Sequence, residues 1–416
     1  MSGDDQEQKI RTTTAPQSRL GSAALWGVCL FFVLNAGLLL WSPLAKVDPE
    51  SLPSAHTWVW WAAKEFLSEA HPPEVVIVGA SLLMHPISRV DADYLNKDVD
   101  YVHHHRSEYM AHEFQNRLGT HVSRCFNFAL PGAMVSDDYM VLRAMLSGKR
   151  KPSVVILGLG VRDFSDSLVS CPAATPPFRY LKRYANTDDL IDLVMPKMWQ
   201  RLDYWLGKGI YAHGKKLDMQ VALCEIAKQV LGKQTMECFP KSHLLEADPT
   251  RTTPGNMKAE VEEGWFVLRA HQQLAYEDNT REYKRRFRSP NASMFDIQEK
   301  FLEKFMHDCN QNDIRVVLVN IPVTPANRSL VPPGNYDRYV KLLHQTAARW
   351  SACCIDLADD TDFVSGDFYD TCHMNSSGGK KLVDKIVAAI GKDAPSVSAL
   401  RQAEHVRLAG QQPLTR

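Results

Sequence analysis

The sequence predicts a three-layer α/β fold, a parallel sheet with helices on both faces, carried on one N-terminal transmembrane helix and interrupted by a mostly helical insertion. Three observations predict it. Short apolar runs rich in Val recur at Val75–Val78, Val154–Leu157, Ile314–Ile321 and Cys353–Leu357, as expected of strands buried on both faces. The stretches between them carry apolar residues at helical spacing, and strands alternating with helices imply parallel pairing through right-handed crossovers. Finally, Leu20 to Trp41 contains no charged residue, which is long enough to cross ~30 Å of hydrocarbon.

Composition narrows the function. The 416 residues are 45% hydrophobic and 23% charged, room for one large or two ordinary globular domains. Forty-eight basic residues balance 48 acidic ones, so nothing points to nucleic acid as a partner. Nine cysteines include no C-x-x-C pair, so no zinc site is expected and no disulfide pairing can be read.

Residues 1–19 are polar, carry Lys9, Arg11 and Arg19, and read as a disordered cytoplasmic tail. Residues 20–42 read as an uncleaved anchor. A signal peptide is the rival, but its apolar region is usually shorter and no A-x-A site follows. Basic residues precede the span and only Lys46 closely follows it, so the bulk of the chain is expected outside, in a periplasmic or other extracytoplasmic space. In the linker, 43–73, Trp58, Trp60 and Trp61 suit either an interfacial aromatic belt or a helix packed on the core.

The first half of the core, 74–170, opens with Val75-Val76-Ile77-Val78-Gly79-Ala80-Ser81. A serine at a strand-to-helix turn lies at the carboxyl edge of the sheet, near a helix N-terminus, where negative charge is favoured. His103-His104-His105 resembles a metal cluster, but adjacent histidines share no helix face, and a solvated loop is expected. Cys125–Asn127 starts a short strand that breaks at Pro131-Gly132, where the Gly132 N–H is either an oxyanion donor or an ordinary turn amide. Ser136 and Asp137 are expected to cap a helix from Asp138 to about Leu146. Gly158-Leu159-Gly160 is no dinucleotide fingerprint, since Asp163 stands where the third glycine belongs.

The insertion, 171–284, holds helical patterns over about Thr187–Leu206 and Leu217–Leu231, then a polar segment from Pro240 to Met257. It either covers the active site, docks a partner or simply adds core. Arg281, Lys284, Arg285, Arg286 and Arg288 read as a solvated basic face. The second half, 285–392, contains helices near Met294–Cys309 and Tyr336–Ala347 and ends in Asp370-Thr371-Cys372-His373-Met374-Asn375-Ser376-Ser377-Gly378 before a final apolar-periodic helix. A loop of this length lets the Asp370 carboxylate hold the His373 ring while its other nitrogen points at a serine, the alternative being a loop Asp–His pair with no partner. Cys372 as a nucleophile is disfavoured, because neighbouring side chains rarely face one another. Residues 393–416 read as a disordered tail.

Taken in order, these blocks resemble the SGNH (GDSL-like) hydrolase superfamily. Gly79-Ala80-Ser81 is similar to its nucleophile block with Ala80 in place of Asp, and Asn127 to Gly132 is similar to its second block. Gly160-Val161-Arg162-Asp163 falls where the family has Gly-x-Asn-Asp, and Asp370-x-x-His373-x-Asn375-x-x-Gly378 matches its last block. The likeness covers 74–170 and about 290–392. The α/β-hydrolases fit less well, because Leu83 stands where their G-x-S-x-G elbow needs its second glycine.

The resemblance implies a flavodoxin-like sheet order, a catalytic triad of Ser81, His373 and Asp370, and an oxyanion hole from the N–H groups of Ser81 and Gly132. Arg162, in place of the family's Asn, is either a third oxyanion donor or a structural Arg paired with Asp163 or Asp166. No cofactor is expected. An outward-facing domain of this type on one N-terminal helix resembles bacterial envelope proteins that O-acetylate exported polysaccharide. Those work beside a multi-pass membrane-bound O-acyltransferase, so the partners implied are that enzyme, a glycan and the bilayer. An anchored esterase and a non-catalytic glycan-binding subunit are the alternatives.

Overall fold

A computed structural model describes residues 20–45, 47, 57–69, 71–100, 102–122, 124–195, 197–231, 267–289 and 292–411. The expected N-terminal tail and the polar segment Pro240 to Met257 lie outside these residues. By their internal contacts the described residues form two compact units, those within 1–49 and 202–236 and those within 50–201 and 237–416.

The larger unit is a three-layer α/β fold. The five strands of its main sheet are β1 (Val75–Gly79), β2 (Cys125–Asn127), β3 (Val154–Leu159), β4 (Arg315–Asn320) and β5 (Cys353–Asp356), and Val99–Asp100 and Val267–Leu268 form a separate antiparallel pair. All neighbours are parallel, in the order β2-β1-β3-β4-β5. The central strands are fully buried, as continuous Val, Ile and Leu runs require when helices cover both faces. Helices Val135–Ser147, Ala292–Gln311 and Asn335–Trp350 pack with one another on one face. Helices Ser81–Tyr94, Glu108–Leu118 and Ser376–Lys392 pack on the other.

The chain leaves β1 toward β2 and then returns past β1 to β3, so the order reverses between β1 and β3. In open parallel sheets a crevice forms at the carboxyl ends of the strands flanking such a reversal. Ser81 lies at that edge, on the first turn after β1. Close backbone approach there depends on glycine: Gly79 has φ +149°, and a Cβ on it would overlap the Gly158 carbonyl of β3.

Several local expectations are corrected. Residues 394–411 form a helix, Ala394–Gln411, with Leu400 and Ser396 buried, rather than a disordered tail. The helix expected from Asp138 begins at Val135, and Asp137 sits in its first turn, accepting the Met134 N–H at 2.9 Å. The histidine run is not a solvated loop: His104 pairs with Asp91 at 2.8 Å, and buried His105 with Glu65 at 2.7 Å. Each ring satisfies its own carboxylate. Of the basic run, Arg286 is buried and bonded to Asp166 and Glu282. The Trp58–Ser68 helix buries Trp60 with Val59 and Phe66, so its packing on the core prevails over an aromatic belt.

The pattern expected as one helix over Thr187–Leu206 is broken into Asp188–Leu190, Ile191–Val194 and Met198–Gly209. Both ends of the insertion belong to the larger unit, where Phe178 and Leu181 at one end and Tyr283 at the other are buried.

The smaller unit contains Leu20–Trp41, the stretch Leu202–Gly209 that ends helix Met198–Gly209, the turn Tyr211–Gly214 and helix Lys216–Leu231. Ala23–Trp41 is long and apolar enough, at a hydropathy of 2.2, to be a single membrane span or a signal sequence.

Candidate active site

Two segments far apart in sequence meet at the carboxyl edge of the sheet. Ser81 is the first residue of a helix whose N-cap is Ala80, so its hydroxyl stands at the helix mouth. His373 lies three residues before the helix capped by Asn375, whose side chain accepts the Gly378 N–H at 3.1 Å. The two helices that start beside these residues pack directly on each other. Gly379 makes this possible: a Cβ there would lie 2.5 Å from the Pro86 carbonyl and 2.8 Å from Val90 Cγ2. The helix pair thereby carries the imidazole to the serine.

His373 Nε2 is 2.9 Å from Ser81 Oγ, and His373 Nδ1 is 2.6 Å from Asp370 Oδ2. The other carboxylate oxygen accepts the backbone N–H groups of Cys372, at 2.7 Å, and His373, at 2.6 Å. Burial works to raise the Asp370 pKa, but the charge of His373 and these hydrogen bonds outweigh it and hold the carboxyl below its ordinary value. An ionised carboxylate on Nδ1 selects the tautomer in which Nε2 can accept a proton.

Gly132 reaches the same edge by register. β2 continues past its last paired residue, with Phe128 N–H donating to Ile77 O and Leu130 N–H to Gly79 O, both at 2.8 Å. By this register Ala129 stands beside Gly79, so Gly132 lies three residues beyond that level on its strand and Ser81 two beyond it on the other. Pro131 and Gly132 occupy the middle of a turn closed by Ala133 N–H to Leu130 O at 3.2 Å, and Gly132 takes the φ of +69° that position requires. Among the described residues, neither the Ser81 nor the Gly132 N–H is given to a protein acceptor.

Arg162 does not serve as a third donor, contrary to one of the two expectations. Nε donates to Asp163 Oδ1 at 3.1 Å, and Nη1 to Gly132 O and Asp166 Oδ2, each at 3.2 Å. Nη2 donates to Asp163 Oδ1 at 2.8 Å and to Ala133 O. All five guanidinium N–H groups are engaged, leaving none for an oxyanion. Burial opposes the charge, but Asp163 and Asp166 keep the pKa above its usual value. Arg162 thus fastens the Gly132 turn to the loop after β3.

Several site residues escaped the sequence reading. His85 is buried one turn along the helix from Ser81, with its ring centroid 4.7 Å from that of His373 and its Nδ1 2.9 Å from Tyr369 Oη. Burial, then the neighbouring His373 and Arg89, push its pKa well below the ordinary imidazole value, which favours the neutral ring. Its i+4 spacing from Ser81 was the available signal. Tyr369 stacks on His373 at 14° between ring planes.

From the insertion, Asn279 Oδ1 accepts the Thr371 N–H at 3.2 Å, and Cys372 Sγ lies 2.9 Å from Tyr283 Oη. No spacing rule links those positions to the histidine loop. Cys372 Sγ comes within 3.3 Å of His373 Nδ1, closer than its adjacency suggested, but on the nitrogen that Asp370 holds. Asp370, Cys372 and His373 bring three potential metal-ligand atoms within 4.8 Å of one another. Burial, then Asp370, push the Cys372 thiol well above its usual pKa, which favours the protonated form over a thiolate ligand or nucleophile.

No family model matches the sequence, and no curated protein matches it. Among solved structures, LAE5, an α/β hydrolase enzyme from the metagenome of Lake Arreo, Spain, is similar at a TM-score of 0.33 and 12% identity. The match covers 80% of this chain and 98% of that one. At that level the likeness carries no weight in assigning a family.

Proposed function

We propose that this chain is a membrane-anchored serine acyltransferase of SGNH type, which O-acetylates an exported or cell-envelope polysaccharide through an acyl-serine intermediate. The observation that carries the chemistry is the continuous chain from Ser81 Oγ through His373 to Asp370, at 2.9 Å and 2.6 Å. In this reading His373 Nε2 takes the Ser81 proton as Oγ attacks the acyl carbonyl, and the Ser81 and Gly132 N–H groups receive the oxyanion. The protonated ring then gives its proton to the leaving group, freeing the alcohol or carrier and leaving an ester on Ser81. In the second half His373 deprotonates the incoming hydroxyl as its oxygen attacks the acyl carbonyl, and the ring returns that proton to Ser81 Oγ as the serine ester bond breaks.

The acceptor is a matter of environment. The order of the four sequence blocks supports the SGNH reading, and the uncharged helix Leu20–Trp41 supports work at an envelope beside a multi-pass acyltransferase that delivers the acyl group. An anchored esterase is the second reading, since the same machinery hydrolyses when water is the acceptor.

The test uses the full-length chain in lipid vesicles. A fluorophosphonate should label the protein on Ser81, and Ser81→Ala should abolish both labelling and release of acetate from an aryl acetate. Undiminished labelling of folded Ser81→Ala would refute the assignment. Given an acyl donor and a polysaccharide, acetate found on the glycan identifies a transferase, whereas free acetate alone identifies an esterase.

A further inference from the structure

The smaller unit holds an arrangement that the acyl-transfer reading does not use. Asn35 lies within the apolar helix Leu20–Trp41, where an unpaired amide is costly away from water. Its Nδ2 donates to Gly209 O at 2.6 Å, and its Oδ1 accepts the Tyr211 N–H at 2.8 Å. These are the backbone groups orphaned where one helix ends at Gly209 and the next turn starts at Tyr211. Tyr211 Oη in turn accepts the Leu44 N–H at 2.9 Å. The break at Ile210 is thus pinned six residues before Trp41, about 9 Å along the helix axis from its end.

The two segments joined at this break expose apolar side chains. Leu202 is 58% exposed, Trp205 53% and Leu206 41%. On helix Lys216–Leu231, Leu223, Ile226 and Val230 are exposed at i, i+3 and i+7, one stripe of the helix. Lys208 Nζ lies 5.3 Å from the Tyr204 ring centroid and 5.8 Å from that of Trp205. A cation over aromatic rings beside an apolar face suits the water–lipid boundary, where amphipathic helices bury about 5–10 Å into the headgroup and acyl region. With Trp41 at the membrane surface, a break pinned about 9 Å along the helix falls in that range.

We propose that residues 202–231 are a second membrane-binding element: a helical hairpin lying in the bilayer interface, its exposed apolar side chains among the acyl chains. The inference rests on Leu20–Trp41 crossing the same bilayer. The hairpin holds the chain to the membrane surface at a second point, beyond the pivot of a single span.

The test is photolabelling of the full-length chain in phosphatidylcholine vesicles containing a diazirine-acyl phospholipid, followed by peptide mapping. Peptides from Leu20–Trp41 are the internal control for anchoring. Lipid adducts over 202–231 should exceed those on the exposed surface of Asn335–Trp350 by ~10-fold, and Leu202→Asp with Leu206→Asp should reduce them. Background labelling over 202–231 with Leu20–Trp41 labelled would overturn the hairpin alone, leaving its apolar faces to a protein partner or a second copy. Background labelling of both would overturn the anchor and the hairpin with it.

Discussion

His373 Nε2 lies 2.9 Å from Ser81 Oγ, although 292 residues separate the two. Neither residue would be remarkable alone in a chain of this size. Their meeting follows from one packing contact, between the helix that begins at Ser81 and the helix that begins at Ser376.

Asp370 should act through the imidazole rather than on substrate. Asp370→Asn removes the charge that fixes the His373 tautomer, and in a serine triad this change lowers turnover by roughly 10⁴-fold. Aryl acetate hydrolysis and fluorophosphonate labelling of the folded variant check this. A loss below tenfold would mean that Asp370 is a structural acceptor.

Arg162 should matter for stability more than for the oxyanion. Arg162→Gln leaves Asp163 without its buried cation and Asp166 with Arg286 alone, a loss of about 3–5 kcal/mol when one partner of such a pair is removed. Arg162→Lys should restore little, because one ammonium cannot replace five donors in a fixed fork. Urea unfolding measures this. A variant of unchanged stability that lacks activity would return Arg162 to the oxyanion.

Gly379 sets the distance between the two helices. Gly379→Ala places a methyl against the Pro86 carbonyl and Val90, and overpacking of this kind costs about 1–3 kcal/mol. The helix must shift, and the His373 loop is attached to its start. Labelling of Ser81 should therefore slow even where the variant remains fully folded by circular dichroism.

Asp137 predicts a pH dependence. Burial, partly offset by hydrogen bonds from Thr175 and Met134, pushes its carboxyl up to about 7. Its unfolded pKa is near 3.9, so from about pH 4 to about pH 7 the native state holds a proton that the unfolded state has released. Stability should fall as pH rises through that window, by up to ~1.4 kcal/mol per pH unit for one such group, and the effect should end above it. Asp137→Asn keeps an acceptor for the Met134 N–H and should flatten the slope. Urea unfolding at pH 5 and pH 7.5 gives the comparison.

Much of the fold was legible because strands buried on both faces leave an unambiguous mark. Val75–Val78, Val154–Leu157 and Ile314–Ile321 need no partner to be recognised, and their alternation with helices dictates parallel pairing. The Asp370–His373 spacing was legible for a similar reason, since three residues on a loop are a local relationship. Burial was not. His105 and Arg286 read as solvated because charge and polarity are all that a sequence shows, while their partners Glu65 and Asp166 are brought to them only by folding.

The same reasoning separates the two meanings of Arg162. Its position two residues after Gly160 was evident, but an arginine is a donor or a buckle according to how many acceptors surround it, and those come from the Gly132 turn and Asp166. The sequence by itself determined the strands, the apolar helix and the local pairing of carboxylate with imidazole, because each is set by neighbours along the chain. Only the tertiary structure decided that the imidazole faces Ser81, that His85 and Tyr369 pack beside it, and that Arg162 has no donor to spare. Those are contacts across the sheet edge, where proximity depends on helix packing rather than on distance in sequence.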